Sequence, residues 1–279
     1  MIKRTKLWTN ISAATLASIA TVGISGCDSS SDGSNETTLK ADVAISEPVA
    51  VAPIVYEGEG EGEGGAVNLS TNDIAYLTRL ALMRGHLFIG NELYAAGHIS
   101  HAQMHMKHPK SELYNEIEPA FDARGALGFA EQLTALSTAV EAELDVDIVA
   151  NAYSAVTTAI SDNESVVPDT NLLPSQRLKL VSEILRVAGE EYAIAVVDGQ
   201  VKNAHEYQDA MGFTEIAAKI IESIDPKDGV TTEAIEKARK HIDGLSKHWP
   251  SLIPPPALDT QASALYVAAA RIELLALGL

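Results

Sequence analysis

Apolar residues recur at intervals of three and four along the chain from about residue 69 onward, which is the period of a helix that buries one face. The first such run follows a cap signal at Ser70-Thr71-Asn72 and stops at Gly97. The two-residue alternation that marks a half-buried strand is absent, and glycine and proline fall between the runs. The pattern therefore predicts an all-α fold, an antiparallel helical bundle.

Short connections separate the predicted helices. Proline sets one boundary in particular: His108 should leave the helical region because Pro109 follows it, and Ser111 is then placed to cap the next helix. By this reasoning the helices cover residues 74–94, 100–108, 111–117, 127–144, 148–160, 178–199, 201–224, 232–247 and 258–277.

The first 26 residues have the pattern of an export signal. Basic residues open the chain, and the apolar stretch that follows is shorter than the roughly 20 residues that cross a membrane. The stretch ends in Ile24-Ser25-Gly26-Cys27, where small residues precede the single cysteine of the chain, as at a lipoprotein cleavage site. We therefore expect residues 1–26 to be a signal peptide and Cys27 to carry lipid, palmitate among its acyl chains.

A cysteine with two or more acyl chains holds a protein firmly at a bilayer, so the predicted location is the cell envelope, lipid-anchored and facing the periplasm. Asp28 favours the inner membrane, although the choice of membrane stays open. Residues 27–67 are rich in Ser, Asp, Gly and Glu and end in a Glu-Gly run, which predicts a disordered acidic tether. The folded bundle is then expected over residues 68–279.

The chain is strongly acidic. It has 38 acidic and 20 basic residues, a formal net charge of −18. Such a charge repels polyanions, so nucleic acid is excluded as an expected partner, whereas cations are attracted.

A histidine-rich stretch between Gly97 and Pro109 contains four of the eight histidines of the chain. On a helix His101, His105 and His108 lie at i, i+4 and i+7, on one face, and neutral imidazoles in that register can share a transition-metal ion. His86 in the preceding helix and Glu112 in the next are candidates to complete the ligand shell. The alternative is an amphipathic helix that uses histidine as a half-polar interface residue.

Acidic residues form a second candidate ligand set. Glu191 and Asp198 are spaced i, i+7, and Glu206 and Asp209 are spaced i, i+3 on the following helix. If the two helices form a hairpin about Gly199, these carboxylates can face one another and bind a cation, as in the cores of metal-binding bundles. A solvated acidic face is the alternative interpretation. The sequence leaves open whether the histidine and carboxylate sets converge.

The acidic segment resembles the periplasmic helical module that precedes the permease domain in some bacterial high-affinity iron permeases. The matching positions are Glu191, Tyr192, Ala195, Val196, Asp198, Gly199, Val201, Asn203, Glu206 and Tyr207. The sequence lacks the Arg-Glu-x-x-Glu motif of the permease domain, so the resemblance implies a periplasmic module associated with iron and with a membrane transporter, not a permease. It also implies that Glu191, Asp198 and Glu206 are the acidic positions concerned.

These observations favour a membrane-tethered lipoprotein that binds a transition metal in iron or copper acquisition or handling, with zinc as a further candidate. No catalytic motif is recognisable, so we expect a non-enzymatic protein. Two alternatives remain. One is a protein-interaction lipoprotein without metal, and the other is a haem-binding helical protein that uses the histidines as axial ligands.

Overall fold

The computed structural model describes residues 67–279. The predicted signal peptide, Cys27 and all but the last residue of the predicted tether lie outside the described residues. Within 67–279, no helix combines the length and the apolar content needed to cross a membrane.

Nine α-helices and one very short hairpin make up the described part of the chain, which confirms the predicted all-α bundle. In chain order the elements are α1 (Asp73–Ala95), α2 (Ile99–His108), α3 (Asn115–Arg124), α4 (Ala130–Glu141), α5 (Val146–Glu164), α6 (Pro174–Ala195), β1 (Val196–Val197), β2 (Gln200–Val201), α7 (Ala204–Ser223), α8 (Gly229–Asp243) and α9 (Ser263–Leu277).

Helix α1 is the central element of the packing. It begins where the sequence predicts, because the side chain of Asn72 accepts a hydrogen bond from the amide of Ala75 at 3.0 Å. Beyond its end, Gly97 has a positive φ of 82°, which suits glycine. Residues on nearly every side of α1 are buried, and the helix packs against α2, α5, α6 and α7. A helix that is apolar on all sides in this way belongs in the interior of a bundle.

Among the last four helices, α6 packs against both α7 and α9. Helix α8 closes the group by packing against both α7 and α9. At the other end of the described chain, α4 packs on α5 and on α2. The core therefore runs continuously from α1 and α2 into the α6–α9 group, and α1 crosses α7 where these two parts meet.

The predicted helix break at His108-Pro109 is wrong. Pro109 has helical dihedral angles, φ −55° and ψ −32°, and a π-helical turn, Pro109–Tyr114, joins α2 directly to α3. A π turn is wider than an α turn and shifts the backbone hydrogen-bond pattern, so it accommodates a residue that has no N–H to donate. Ser111 consequently lies inside this turn and does not cap a new helix.

The predicted helix up to Gly199 is also wrong at its end. Helix α6 stops at Ala195, and Val196 and Val201 pair in an antiparallel hairpin. Its two turn residues, Asp198 and Gly199, have φ values of 53° and 71°. Asp-Gly is a preferred sequence for a two-residue turn with positive φ at both positions. Asp198 is therefore not two helical turns beyond Glu191 on the same face.

Two glycines allow α1 and α7 to approach closely. A Cβ atom added to Gly212 would lie 2.4 Å from the carbonyl oxygen of Gly85, and one added to Gly85 would lie 2.4 Å from the ring of Phe213. No real Cβ atom tolerates such a distance to backbone, so the crossing exists in this form only with glycine. Because His86 follows Gly85 and Asp209 lies one turn before Gly212, the crossing sets the distance between these two side chains.

We expect Gly212→Ala to destabilise the protein by about 1–3 kcal/mol, because the added methyl group overpacks the α1–α7 crossing. Gly229→Ala is the matched control, since a Cβ at Gly229 meets nothing within 4 Å and alanine favours helix. Thermal unfolding followed by circular dichroism measures both variants. Equal melting temperatures for the two variants would contradict the role assigned to the crossing.

Candidate metal centre

Three helices bring two imidazoles and one carboxylate together in the core. His86 comes from α1, His105 from α2 and Asp209 from α7, and their exposed fractions are 2%, 0% and 1%. Nδ1 of His86 lies 2.5 Å from Oδ1 of Asp209, and Nδ1 of His105 lies 2.9 Å from the same oxygen. The ligand atoms of the three residues all lie within 4.8 Å of one another. We call these three residues the buried triad.

The two nitrogens of His105 both face oxygen acceptors. Nδ1 faces Asp209, and Nε2 lies 2.9 Å from Oε1 of Gln208. Gln208 presents its oxygen here because its Nε2 donates to the carbonyl of Leu252 at 3.0 Å. A neutral imidazole has one N–H and can serve only one of the two acceptors. If Nε2–H donates to Gln208, the Nδ1 lone pair faces the carboxylate, and a cation between them satisfies both groups.

The protonation of the buried triad suits metal binding. Burial raises the pKa of Asp209, but its contacts with His86 and His105 outweigh burial and hold the pKa well below its usual range. Burial is the largest influence on His105 and lowers its pKa. An ionised carboxylate and a neutral imidazole are the forms in which these side chains bind metal ions.

The spacing of the buried triad also fits an ion. Ligand atoms that lie about 2.1 Å from a metal and at right angles to one another are about 3 Å apart. The nitrogen–oxygen distances of 2.5 and 2.9 Å in the buried triad are close to that value. Two imidazoles and one carboxylate are typical of non-haem Fe(II) sites and also occur in zinc sites. The edge of the His86 ring packs on Phe213, with ring centroids 4.9 Å apart, which fixes its orientation.

A second group of ligands adjoins the buried triad on the side of Asp209 Oδ2. Nδ1 of His205 lies 3.2 Å from that oxygen and 3.9 Å from Oε1 of Glu206. The His205 ring stacks on the His105 ring, with centroids 4.2 Å apart and planes 10° apart. Burial raises the pKa of Glu206, but its interactions with His205 and with Glu191 of α6 outweigh burial and lower that pKa. We call His205, Glu206 and Asp209 the outer triad.

The structure brings most of the predicted ligands to one place. His86 and His105 belong to the buried triad, Glu206 belongs to the outer triad, and Glu191 is close enough to Glu206 to influence its pKa. His101 reaches the cluster through Gln208, since its Nδ1 lies 3.1 Å from Gln208 Oε1. The histidine and carboxylate sets, whose convergence the sequence leaves open, therefore meet.

One predicted ligand, Asp198, is not part of this cluster, and two others are not tested. Asp198 is exposed in the turn between β1 and β2, and among the described residues neither triad includes it. The reason is the early end of α6, which takes Asp198 off the helical face of Glu191. The side chains of His108 and Glu112 lie outside the described residues.

His205 and Gln208 were not among the predicted ligands and partners, whereas Asp209, which its spacing from Glu206 placed in the acidic set, is the residue on which the cluster converges. His205 and Asp209 are spaced i, i+4, the same register that singles out His101 and His105. That signal was available in the sequence. Gln208 offers no comparable signal, because its role depends on the carbonyl of Leu252, which is distant along the chain.

The fold and the cluster together define an all-α bundle protein with a buried histidine–carboxylate centre. Comparison with known families shows that residues 168–275 match the iron permease-associated 4-helix bundle domain. The match supports the resemblance to the helical module of iron permeases. It covers α6, α7, α8 and almost all of α9. No curated protein and no solved structure matches the chain.

The matched segment contributes only part of the cluster. Asp209, His205, Glu206 and Glu191 lie within it, whereas His86 and His105 come from helices that precede it. The buried triad is thus completed by residues that the family model does not cover.

We expect Gln208→Leu to weaken metal binding about 10- to 100-fold, because the substitution removes the oxygen that orients the His105 ring. Gln208→Glu keeps an oxygen acceptor and should recover most of the affinity. Gln103→Leu, on the half-buried face of α2, is the matched control and should bind metal like the wild type. Equilibrium titration of each variant measures the affinity, and equal losses for Leu and Glu at position 208 would contradict an orienting role.

Proposed function

We propose that this chain is a lipid-anchored, periplasm-facing protein that binds iron at the buried triad and takes part in iron acquisition or handling. The observation that carries the proposal is the convergence of His86, His105 and Asp209 in the core, where each residue is almost fully buried. A buried carboxylate among imidazoles without further ions is costly, and a bound cation offsets that cost.

The donor set favours iron over cuprous copper. Cu(I) sites use soft sulfur ligands, but Met104 is 41% exposed and Met106 packs against Gly90 in the core. The buried triad instead offers nitrogen and oxygen, the donors of Fe(II) and zinc sites. The match to an iron permease-associated domain supports iron between these two.

A membrane transporter is the proposed partner. The matching domain is described as permease-associated, and the chain is strongly acidic, which attracts cations to its surface. A lipid anchor at Cys27 would hold the bundle near such a transporter, and the acidic tether of residues 27–67 would let it reach across the membrane surface. In this proposal the ion is cargo that the protein binds and passes on.

We expect the full-length chain, purified in detergent, to bind Fe(II) under anaerobic conditions with micromolar or tighter affinity. Loss of a group that only orients a ligand weakens metal binding by up to about 100-fold. Asp209→Asn should weaken binding by more than that, because it removes the charge of a residue that contacts the ion directly. Isothermal titration with Fe(II), Fe(III), Cu(II) and Zn(II) ranks the metals.

His98→Gln is the matched control, since His98 belongs to the same histidine-rich stretch but is exposed. Circular dichroism establishes that each variant is folded. An absence of binding in the wild type, or equal affinity in wild type and Asp209→Asn, would overturn the proposal. A Soret band after haem addition that disappears in His105→Gln would identify the haem-binding alternative instead.

The proposed anchor is tested separately at Cys27. In a bacterial host fed an alkyne analogue of palmitate, the wild-type chain should incorporate the label, and Cys27→Ser should not, because the thiol is the proposed acceptor. Ser29→Ala, two residues away, is the control and should be labelled like the wild type. Equal labelling of Cys27→Ser would exclude lipid attachment at this residue.

A further inference from the structure

Asp209 uses its two carboxylate oxygens in different directions. Oδ1 faces His86 and His105, at 2.5 and 2.9 Å, and Oδ2 faces His205 at 3.2 Å. Each oxygen therefore has its own imidazole partners. A carboxylate arranged in this way has the geometry of a bridge between two cations.

The outer triad is a ligand set in its own right. The ligand atoms of His205, Glu206 and Asp209 lie within 4.8 Å of one another, as do those of the buried triad, and Asp209 is the residue that the two groups share. Glu191, which is 6% exposed, lies next to the outer triad, where it interacts with Glu206. The outer triad with Glu191 thus offers one imidazole and three carboxylates.

We infer that the cluster is a dinuclear centre in which Asp209 bridges two metal ions. The first ion is held by His86, His105 and Oδ1 of Asp209, and the second by His205, Glu206 and Oδ2. This inference rests on the proposed function, since it requires that the buried triad binds metal.

The spacing of the two ligand sets agrees with a dinuclear centre. His105 and His205 stack with ring centroids 4.2 Å apart and nearly parallel planes, and each presents its Nδ1 to a different oxygen of Asp209. Two-metal sites in proteins hold their ions about 3.5–4 Å apart. Parallel imidazoles at this separation are therefore placed to bind one ion each.

The charges of the cluster also agree with a dinuclear centre. Glu191, Glu206 and Asp209 are three carboxylates gathered on adjoining faces of α6 and α7, and two of them are nearly fully buried. Like charges at this proximity repel one another in a medium of low dielectric constant. One divalent ion at the buried triad balances the charge of Asp209. A close pair of carboxylates such as Glu191 and Glu206 either shares a proton or holds a cation, and a second ion beside the pair would take the place of that proton.

The two positions differ in access to solvent. His105 is 0% exposed, whereas the side chain of Glu206 is 24% exposed and that of His205 is 9% exposed. An ion at the outer triad can therefore exchange with solvent more readily than one at the buried triad. This difference predicts one firmly held ion and one that is exchanged more easily, an arrangement suited to a protein that loads and releases cargo.

The test is the number of ions bound by the full-length chain. Glu57, Glu59, Glu61 and Glu63 are changed to Gln in every sample, so that the Glu-Gly run of the tether adds no binding of its own. The chain is brought to equilibrium with Fe(II) by anaerobic dialysis, and the iron bound to protein, the excess over the dialysate, is measured by mass spectrometry. In parallel, Cu(II) is titrated into the chain and followed by electron paramagnetic resonance. Two Cu(II) ions bridged by one carboxylate couple magnetically, and their signal is then weaker than that of two isolated ions. This measurement can be made on the parent chain alone, without a variant.

We expect two ions in the otherwise unchanged chain, with magnetic coupling of Cu(II), and one ion without coupling in His205→Gln. His98→Gln is the control and should keep both ions; circular dichroism verifies the fold of each variant. One ion in the parent chain, or an unchanged count in His205→Gln, would overturn the dinuclear centre and leave the proposed function standing. No ion in the parent chain would overturn both.

Discussion

The ionised carboxylate of Asp209 is the constraint around which this part of the molecule is organised. A carboxylate that is 1% exposed must replace its lost hydration with partners, and three imidazoles from three helices supply them. His86, His105 and His205 approach it from α1, α2 and α7. Each of these helices is held in place by apolar packing. The hydrophobic core therefore positions the polar centre, although the polar centre adds little to the hydrophobic stabilisation of that core.

The close approach of α1 and α7 makes this geometry attainable. At the crossing, Gly85 and Gly212 bring backbone against backbone, and the side chains of His86 and Asp209 on either side of it come within hydrogen-bonding distance. Larger residues at the two glycine positions would separate the helices by more than the tolerance of a metal site, which is a few tenths of an ångström. The packing of α1 against α7 therefore determines the distance between His86 and Asp209.

The centre also joins two parts of the chain that differ in their relation to known proteins. The segment that matches the iron permease-associated 4-helix bundle domain supplies Asp209, His205, Glu206 and Glu191, whereas the preceding helices supply His86 and His105. Carboxylates within the matched bundle alone would form a site rich in hard oxygen donors. The two added imidazoles change the donor set toward that of Fe(II) and related transition metals.

The sequence by itself determined what depends on neighbours along the chain. Helical periodicity, the Asn72 cap and the shared face of His101 and His105 follow from local geometry, and the structure agrees with them. Predictions from local sequence were wrong at two positions. At Pro109 a π turn accommodates the residue that lacks an N–H donor, and at Asp198 the helix has already ended and an Asp-Gly turn takes its place.

Only the tertiary structure decided that Asp209, and not Asp198, completes the site, and that the histidine and carboxylate sets meet. Those outcomes depend on which helices cross and how closely. His86 and Asp209 are 123 positions apart in the sequence and come together because distant apolar helix faces pack against each other. The pattern of residues along the sequence does not determine how close the two side chains lie in space.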